Sequence, residues 1–263
     1  MNGGTDNMAV EPEETDPVAW LRREPEPGWR LIERGAYAYA TCADQSHAFI
    51  PSGVEERYAR FIRDAGDGSY TRSYRDTRQT PAGVVLQVET WRDASALRRM
   101  DVSLQGPARD VWVRYDLDAR ELRVQRKEGT SSVDRASHRL PLDWIVLPLT
   151  RDHLGPVIVE IGGRPDHTAD VVVPALEDIA AATVLDPVIS RRDVRLVESA
   201  RHTIEAAGAT WSTQPYRFLG GPYDDRSAFW ICGESDRLIR YIFTAASGVR
   251  WSADLVHLEI HPP

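Results

Sequence analysis

A histidine beside a carboxylate is the first arrangement in this sequence that could move protons. Asp152 and His153 are adjacent and follow an apolar segment interrupted by proline, Leu147–Leu149, so His153 could face a pocket. Because histidine titrates near neutral pH, such a pair suits general acid–base catalysis. His167 also has two aspartates within three residues. Solvated loop histidines share this pattern, and that alternative stays open.

Two further carboxylates are candidates for proton transfer. The segment 220–226 begins with two glycines and carries Asp224 beside Tyr223. It could form a lid whose Tyr223 and Asp224 reach inward, or a long hairpin connection with solvated acids. Glu89, on a predicted strand, is the third catalytic candidate. A proton-transferring enzyme needs at least one such group deep in its cavity.

His257, Glu259 and His261 form the metal-like cluster of this sequence. On a strand these side chains share one face, but residues two apart lie ~6.5 Å apart along the strand. A pair could bind one ion, whereas all three could not without a ligand from elsewhere. We therefore predict no metal site and interpret the cluster as the polar outer face of the last strand.

Motifs of the common cofactor-dependent enzymes are absent from the sequence. It contains no GxSxG, no GxxxxGK[ST], no GxGxxG after a predicted strand and no HExxH. Cys42 and Cys232 have no metal-like spacing, which favours two reduced thiols. We expect no cofactor.

Aromatic residues are the most informative binding candidates. Eight Trp, nine Tyr and five Phe are spread over nearly every predicted strand. Most of them must fill the space under a curved sheet, but such a sheet often leaves a cavity that Trp and Tyr line. The residues predicted to line it are Tyr74, Tyr115, Trp230, Tyr241 and Trp251.

Alternating apolar and polar residues predict the strands that position these side chains. A period-two pattern covers 83–91, and short turns join 111–117 to 121–126 and 227–232 to 237–243 in two hairpins. Glycine and proline, 18 and 17 residues, are spread through the turns. We predict an all-β, mainly antiparallel fold, a β-barrel or curled β-roll with one or two short helices.

Two segments could be helical. Pro174–Ala182 begins with proline, which the first helical turn permits, and is rich in alanine. Ser190–Gly208 is either a helix or, in its second half, two strands joined through Ala207 and Gly208. We favour the strands.

The first 28 residues differ in composition from the rest. They carry seven acidic and two basic residues, so they contribute −5 of the formal net charge of −8, and they contain four prolines. We predict a disordered acidic tail over 1–28 and a single barrel or roll domain over 29–263. Two similar halves, with a boundary near 150–170, remain an alternative.

The charge balance and the hydropathy exclude several classes of protein. A nucleic-acid binder needs a basic surface, which a chain with 32 basic and 40 acidic residues does not suggest. No apolar run approaches the ~20 residues of a membrane-spanning helix. No basic region followed by an apolar stretch opens the chain, so we expect no secretory signal and a cytoplasmic protein. Whether it forms a homodimer is left open.

The last third of the chain resembles a known group of folds. One part is similar to a strand pair with an Ala-Gly turn and aromatic residues after it: Thr203–Trp211 followed by Tyr216–Phe218. Another part looks like the strands that follow such a pair: Ala228–Ile231 with Arg237–Tyr241. This combination resembles exported bacterial β-roll proteins of unknown function, related in shape to periplasmic lipoprotein carriers. The resemblance implies a curled antiparallel sheet that holds an apolar ligand in a concave groove.

The function we expect is capture of an apolar small molecule inside the roll. Without a cofactor motif, an enzyme of this kind would promote cyclisation or isomerisation by confinement, by analogy with the cofactor-free β-barrel cyclases of bacterial polyketide pathways, including [4+2] cyclases. The alternative is a carrier or other binding protein with the same groove and no chemistry. An enzyme needs a buried hydrogen-bonding group in the cavity, whereas a carrier can have an apolar lining.

Overall fold

The structure is a computed structural model that describes residues 21, 27–42, 48–66, 69–94, 96–107, 109–221, 226–245 and 247–261. The helix among them is α1 (Arg151–Gly162). The strands are β1 (Arg30–Cys42), β2 (Ile50–Asp64), β3 (Tyr70–Gln79), β4 (Val85–Arg92), β5 (Leu97–Gly106), β6 (Arg109–Leu117), β7 (Glu121–Glu128), β8 (Asp134–Arg139), β9 (Trp144–Val146), β10 (Thr168–Pro174), β11 (Pro187–Leu196), β12 (His202–Ala206), β13 (Ala209–Leu219), β14 (Ser227–Cys232), β15 (Arg237–Thr244) and β16 (Arg250–Ile260).

All strands belong to one sheet. Their order is β8-β7-β6-β5-β4-β3-β2-β1-β16-β15-β14-β13-β11-β10-β9, and β12 pairs with β13 outside this path. Neighbours run antiparallel, except that β9 and β10 run parallel. The first and last strands meet in the middle, where Tyr37 pairs with Leu255. The predicted all-β, mainly antiparallel fold is confirmed.

The loop between β10 and β11, at one end of the sheet, contacts strands near the opposite end of the sheet. Tyr115 of β6 donates a hydrogen bond to the Leu185 carbonyl, and Arg126 of β7 donates to the Val184 carbonyl. Trp144 of β9 donates to the Ala119 carbonyl, 3.1 Å away, in the β6–β7 turn. The sheet therefore curls into a barrel-like shape that side-chain contacts, rather than a strand pair, complete.

Two buried apolar clusters fill the curl. The first joins β1 and β2 to α1 and to strands β9–β16, and includes Tyr37, Ile158 and Leu238. The second joins β4–β7 to the segment around β9, to β10 and to the β10–β11 loop, and includes Val113 and Leu185. Close packing constrains the backbone at Gly35, where a Cβ atom would lie 2.6 Å from the ring of Tyr58.

Helix α1 lies against the inner side of β15 and β11. Its buried residues Leu154, Val157, Ile158 and Ile161 recur at the spacing of one helix face. Gly155 allows the closest approach, since a Cβ atom there would lie 2.0 Å from the Asp236 carbonyl oxygen. The helix thus places its first residues, from Arg151 onward, inside the sheet.

The prediction of a helix over Pro174–Ala182 is wrong. Pro174 ends β10, and 175–186 form a loop closed at its base by hydrogen bonds between Ala175 and Asp186 and between Leu185 and Ala175. Arginine side chains of β6 and β7 bind carbonyl groups of this loop. Tertiary contacts therefore outweigh the helix propensity of its alanines.

The helical alternative for Ser190–Gly208 is also wrong, and the strands favoured there are confirmed. β11 continues to Leu196, and β12 pairs with β13 in the register His202–Thr213 to Ala206–Ala209. Ala207 and Gly208 form the two-residue turn, with φ of 51° and 75°. Both φ values are positive, which matches the hairpin turn type that twists with the strands.

The predicted acidic tail over 1–28 lies outside the described residues except for Leu21, Pro27 and Gly28. Leu21 is buried. No helix in the described part of the chain is long and apolar enough to cross a membrane.

Candidate functional site

A cavity of about 750 Å³, the main cavity, lies between the two apolar clusters. Its lining comes from the inner face of β1–β3, the segment leading into α1, the β10–β11 loop and the ends of β15 and β16. Tyr39 and Leu154 belong to the first cluster, and Leu149, Leu176 and Val184 to the second. The sheet and the loop that completes it therefore enclose this space together.

Stacked aromatic rings form one wall of the main cavity. Phe229 stacks on Tyr241 with ring centroids 4.4 Å apart, and Tyr241 stacks on Phe243 at 5.0 Å. Phe243 in turn lies parallel to Trp251 at 6.1 Å. Phe243 and Trp251 line the cavity, while Tyr241 supports them from behind. This wall is aromatic, which suits an apolar guest.

Tyr39, Arg78 and Arg151 form the polar end of the main cavity, called here the arginine end. All three meet the carboxylate of Glu56, which is fully buried. The Tyr39 hydroxyl donates to Glu56 at 2.6 Å, Arg78 lies 3.8 Å from it, and the backbone N–H of Arg151 donates to its other oxygen. Glu56 thereby occupies the N-terminal end of α1, where the helix favours negative charge.

The pKa values of two acidic groups at this end are raised. Burial, and then the charges of Glu56 and Asp152, raise the pKa of Asp76 well above its ordinary value. A hydrogen bond with Glu56 adds to this rise, and no N–H or hydroxyl group among the described residues donates to the carboxyl oxygens of Asp76. Burial also raises the pKa of Tyr39; Arg151 opposes this rise and Glu56 adds to it. Glu56 is therefore the carboxylate that pairs with Arg78, while it contacts Arg151 through the backbone N–H.

His153 lies behind the arginine end in a buried hydrogen-bonded group. Its Nδ1 is 2.8 Å from Asp152 and 2.8 Å from the Thr150 hydroxyl, and its Nε2 is 3.3 Å from the Thr90 hydroxyl. Burial alone would raise the pKa of Asp152, but His153 and then Arg60 lower it to about 2. Because His153 does not line the main cavity, this arrangement orients α1 rather than facing a guest.

A second buried network lies farther along β1. Glu33 is 2.6 Å from Arg237 and 3.3 Å from Arg60, and accepts a hydrogen bond from Tyr58 at 2.9 Å. Arg60 also lies over the ring of Tyr74 at 5.2 Å. The inner face of β1–β3 is therefore charged along much of its length.

The predicted catalytic residues are not brought together. His153 lies in the buried group just described, while Glu89 lies on the other face of the sheet, 2.8 Å from Arg75. Burial raises the pKa of Glu89, although Arg75 opposes this rise. Asp224 lies outside the described residues.

The predicted lining residues have different positions. Trp251 lines the main cavity, and Tyr241 lies behind its wall. Tyr115 is fully buried and bonds to the Leu185 carbonyl, whereas Tyr74 packs on His153 with ring centroids 5.1 Å apart. Trp230 is half-buried on β14, packed against the first cluster away from the cavity.

Sequence reasoning missed the arginine end. In the sequence, Arg78 and Glu56 alternate with their neighbours as residues of a surface strand do. The alternation predicts which side chains share a face of the strand, but it does not predict that this face is internal. The available signal was that β2 and β3 carry ionisable residues on both faces, as at Glu56 and Arg57.

In the described part of the chain no three His, Cys, Asp or Glu side chains converge. His261 is 3.1 Å from Glu259, and Glu259 is 2.8 Å from Arg34, so these groups pair with each other. Cys42 and Cys232 are buried and form no disulfide bond with each other.

A second cavity, of about 580 Å³, lies against the outward-facing row of β1 that includes Arg34, Ala36 and Ala38. The exposed Arg57 and His257 border it. Its lining includes the buried core residues Tyr37, Tyr58 and Ala59, but its charged side chains are exposed or half-buried. The main cavity instead has Arg78 and Arg151 beside the fully buried Glu56, so the main cavity is the candidate site.

Comparison with known proteins gives the fold. No protein-family model and no curated protein gives a significant match to the chain. Solved structures do match, among them the crystal structure of a β-barrel-like protein of a domain of unknown function, DUF1849, from Brucella abortus. The TM-score is 0.52 over 88% of this chain and 98% of that chain, at 11% sequence identity. The chain has a β-barrel-like fold. This agrees with the predicted resemblance to β-roll proteins of unknown function.

Proposed function

We propose that this β-barrel-like protein binds an apolar small molecule in the main cavity. The supporting observation is a space of about 750 Å³ bordered by both core clusters and by the stacked pair Phe243 and Trp251. Small-molecule sites are typically concave, mostly apolar and of ~300–1,000 Å³, with a few polar groups that fix orientation. The arginine end supplies those polar groups.

A carrier or sensor is the simplest form of this proposal. It needs only the apolar walls and one orienting end, and no group that reacts. The predicted likeness to periplasmic lipoprotein carriers is of the same kind, and an apolar guest is what such a groove would hold.

Filling the cavity tests the proposal. Val54→Trp places an indole in the wall formed by β2, whereas Val197→Trp adds the same group at an exposed site outside the cavity. The neutral probe N-phenyl-1-naphthylamine is expected to bind the wild type and Val197→Trp equally, as followed by its fluorescence. Val54→Trp should weaken binding at least ~10-fold, since the guest loses its space. Equal binding by all three proteins would contradict the proposal.

Cofactor-free cyclisation or isomerisation is the second candidate, as in a polyketide-type [4+2] cyclase. The observation that favours it is the hydrogen bond of 2.6 Å that Tyr39 donates to Glu56 at the cavity. The phenol oxygen can then stabilise positive charge that develops on a substrate, while the walls confine that substrate.

Tyr39→Phe separates the two candidates. Linear polyene substrates of polyketide type would be incubated with each protein, and products of unchanged mass but altered chromatographic retention would be followed. For an enzyme, Tyr39→Phe should lower turnover ~10-fold or more with little change in binding of the neutral probe. No conversion by the wild type above the protein-free rate leaves binding alone as the function. Equal conversion by both proteins above that rate would contradict the role of Tyr39.

A further inference from the structure

We propose that the guest of the main cavity carries one carboxylate, seated at the arginine end against the guanidinium of Arg151. This inference rests on the proposed binding function and names the chemical class of its ligand: an apolar body with a single anionic head.

The surroundings of the Arg151 guanidinium favour binding of an anion. Its guanidinium lies over the rings of Tyr241 and Tyr39, 5.0 Å and 5.7 Å from their centroids. Its Nε is buried without a hydrogen-bond partner, and no carboxylate in the described part of the chain forms a salt bridge with it. Tyr39 hydrogen-bonds this guanidinium and Glu56 attracts it at longer range. The rest of its planar fork of donors is left for an acid.

The other arginines of the arginine end and of the second buried network have their own carboxylates. Arg237 and Arg60 share Glu33, at 2.6 Å and 3.3 Å, and Arg60 also lies 3.7 Å from Asp152. Arg78 lies 3.8 Å from Glu56. The contrast with Arg151 is therefore specific to one position.

The charge balance of the interior leads to the same conclusion. In the two buried networks four arginines face three carboxylates, since burial raises the pKa of Asp76 and favours its neutral form. One positive charge remains in these networks. The arginines are Arg60, Arg78, Arg151 and Arg237, and the carboxylates are Glu33, Glu56 and Asp152. An unbalanced buried charge is costly, and an anionic guest would remove that cost.

The remaining acids of the cavity lining cannot serve this purpose. Glu177 and Asp178 line the cavity but are exposed on the β10–β11 loop, where water solvates them. Glu56 is engaged by the Tyr39 hydroxyl and by the Arg151 backbone N–H. From Arg151 the apolar walls lead away through Leu154 and Phe243, so the carboxylate must be attached to an apolar body.

Decanoate and decanol, which differ only in the charged head, test this assignment. Each displaces N-phenyl-1-naphthylamine from the folded protein at pH 8, and the variants are Arg151→Met and, as a surface control, Arg195→Met. The wild type and Arg195→Met should bind decanoate about 10-fold or more tightly than decanol, a difference of about 1.4 kcal/mol. Arg151→Met should bind the two equally, with its decanol affinity within about twofold of the wild type.

Each other outcome overturns a defined part of the account. Equal affinities of the wild type for decanoate and decanol would overturn the carboxylate, while the proposed binding of apolar molecules would stand. A decanoate preference that persists in Arg151→Met would overturn the role of Arg151. If the wild type bound neither the probe nor the two compounds, the proposed function would fail with the inference. Should Arg151→Met not fold, the wild-type comparison decides the carboxylate, and Arg151→Lys, which keeps the charge, should retain the preference.

Discussion

Glu56 connects three elements through one side chain. It accepts hydrogen bonds from the Tyr39 hydroxyl of β1 and from the backbone N–H of Arg151, the first residue of α1. It also lies 3.8 Å from Arg78 of β3. Because its two oxygens are shared in this way, the position of α1 relative to the sheet and the shape of the arginine end are fixed together. A change at this residue would therefore alter packing as well as charge.

Asp76→Asn is expected to reveal the buried neutral acid beside Glu56. The pKa of Asp76 is raised in the folded protein, so its contribution to stability is fully present below the unfolded-state value of about 3.9 and is lost as pH rises. The free energy of unfolding, measured by urea denaturation, should therefore rise for Asp76→Asn relative to the wild type as the pH rises. The limit of this gain is about 1.4 kcal/mol per pH unit.

Asp134→Asn, at an exposed position of β8, serves as the control and should show no such trend. A difference between Asp76→Asn and the wild type that is constant from pH 4 to pH 8 would mean that Asp76 is ionised in the folded state. The count of interior charges would then have to be revised.

At the residue scale, the sequence shows which side chains share a face but not which face is internal. Trp251 could be selected because aromatic residues border cavities, and it lies in the lining. Arg78 and Arg151 could not be selected, since a charged residue in an alternating strand or after a loop ordinarily faces water. Their burial depends on Glu56 and on the tyrosine rings, which are contacts between distant segments.

At the scale of elements, the hairpins were predictable because they are local. The β6–β7 and β14–β15 pairs follow from alternation and from short turns within 20 residues. Helix α1 was not predicted because Gly155 and Pro156 lie within it, and both residues disfavour a helix interior. The spacing of Leu154, Val157, Ile158 and Ile161 was the signal that could have revealed it.

The β12–β13 turn carries a removable backbone cost. Ala207 has a φ of 51°, a conformation that costs an L-residue other than Asn, Asp or Gly about 1 kcal/mol. Ala207→Asn creates the Asn-Gly sequence that this turn type favours and should raise the free energy of unfolding by about 0.5–1 kcal/mol, measured by chemical denaturation.

Ala119→Asn is the matched control, since Ala119 lies in the β6–β7 turn without a positive φ and should show no gain. If Ala207→Asn were no more stable than the wild type, the strain assigned to this turn would be absent.

At the scale of the whole molecule, the cavity follows from how the sheet is completed. β8 and β9 end the hydrogen-bonded order, and the β10–β11 loop bridges the gap to β6 and β7 through Arg126 and Tyr115. A loop fills less volume than paired strands packed face to face. Space therefore remains between the two clusters at the place where the loop, α1 and β1–β3 meet.

Methyl NMR of the full chain during titration with decanoate tests the central claim most directly. If the guest enters the main cavity, the methyl signals of Val54, Leu154 and Leu176 should shift in a saturable way. The methyl signals of Leu31 and Val256, which border the second cavity on the outer face, should not move. Shifts confined to Leu31 and Val256, or none at any of the five residues, would contradict the assignment of the binding site to the interior of the curled sheet.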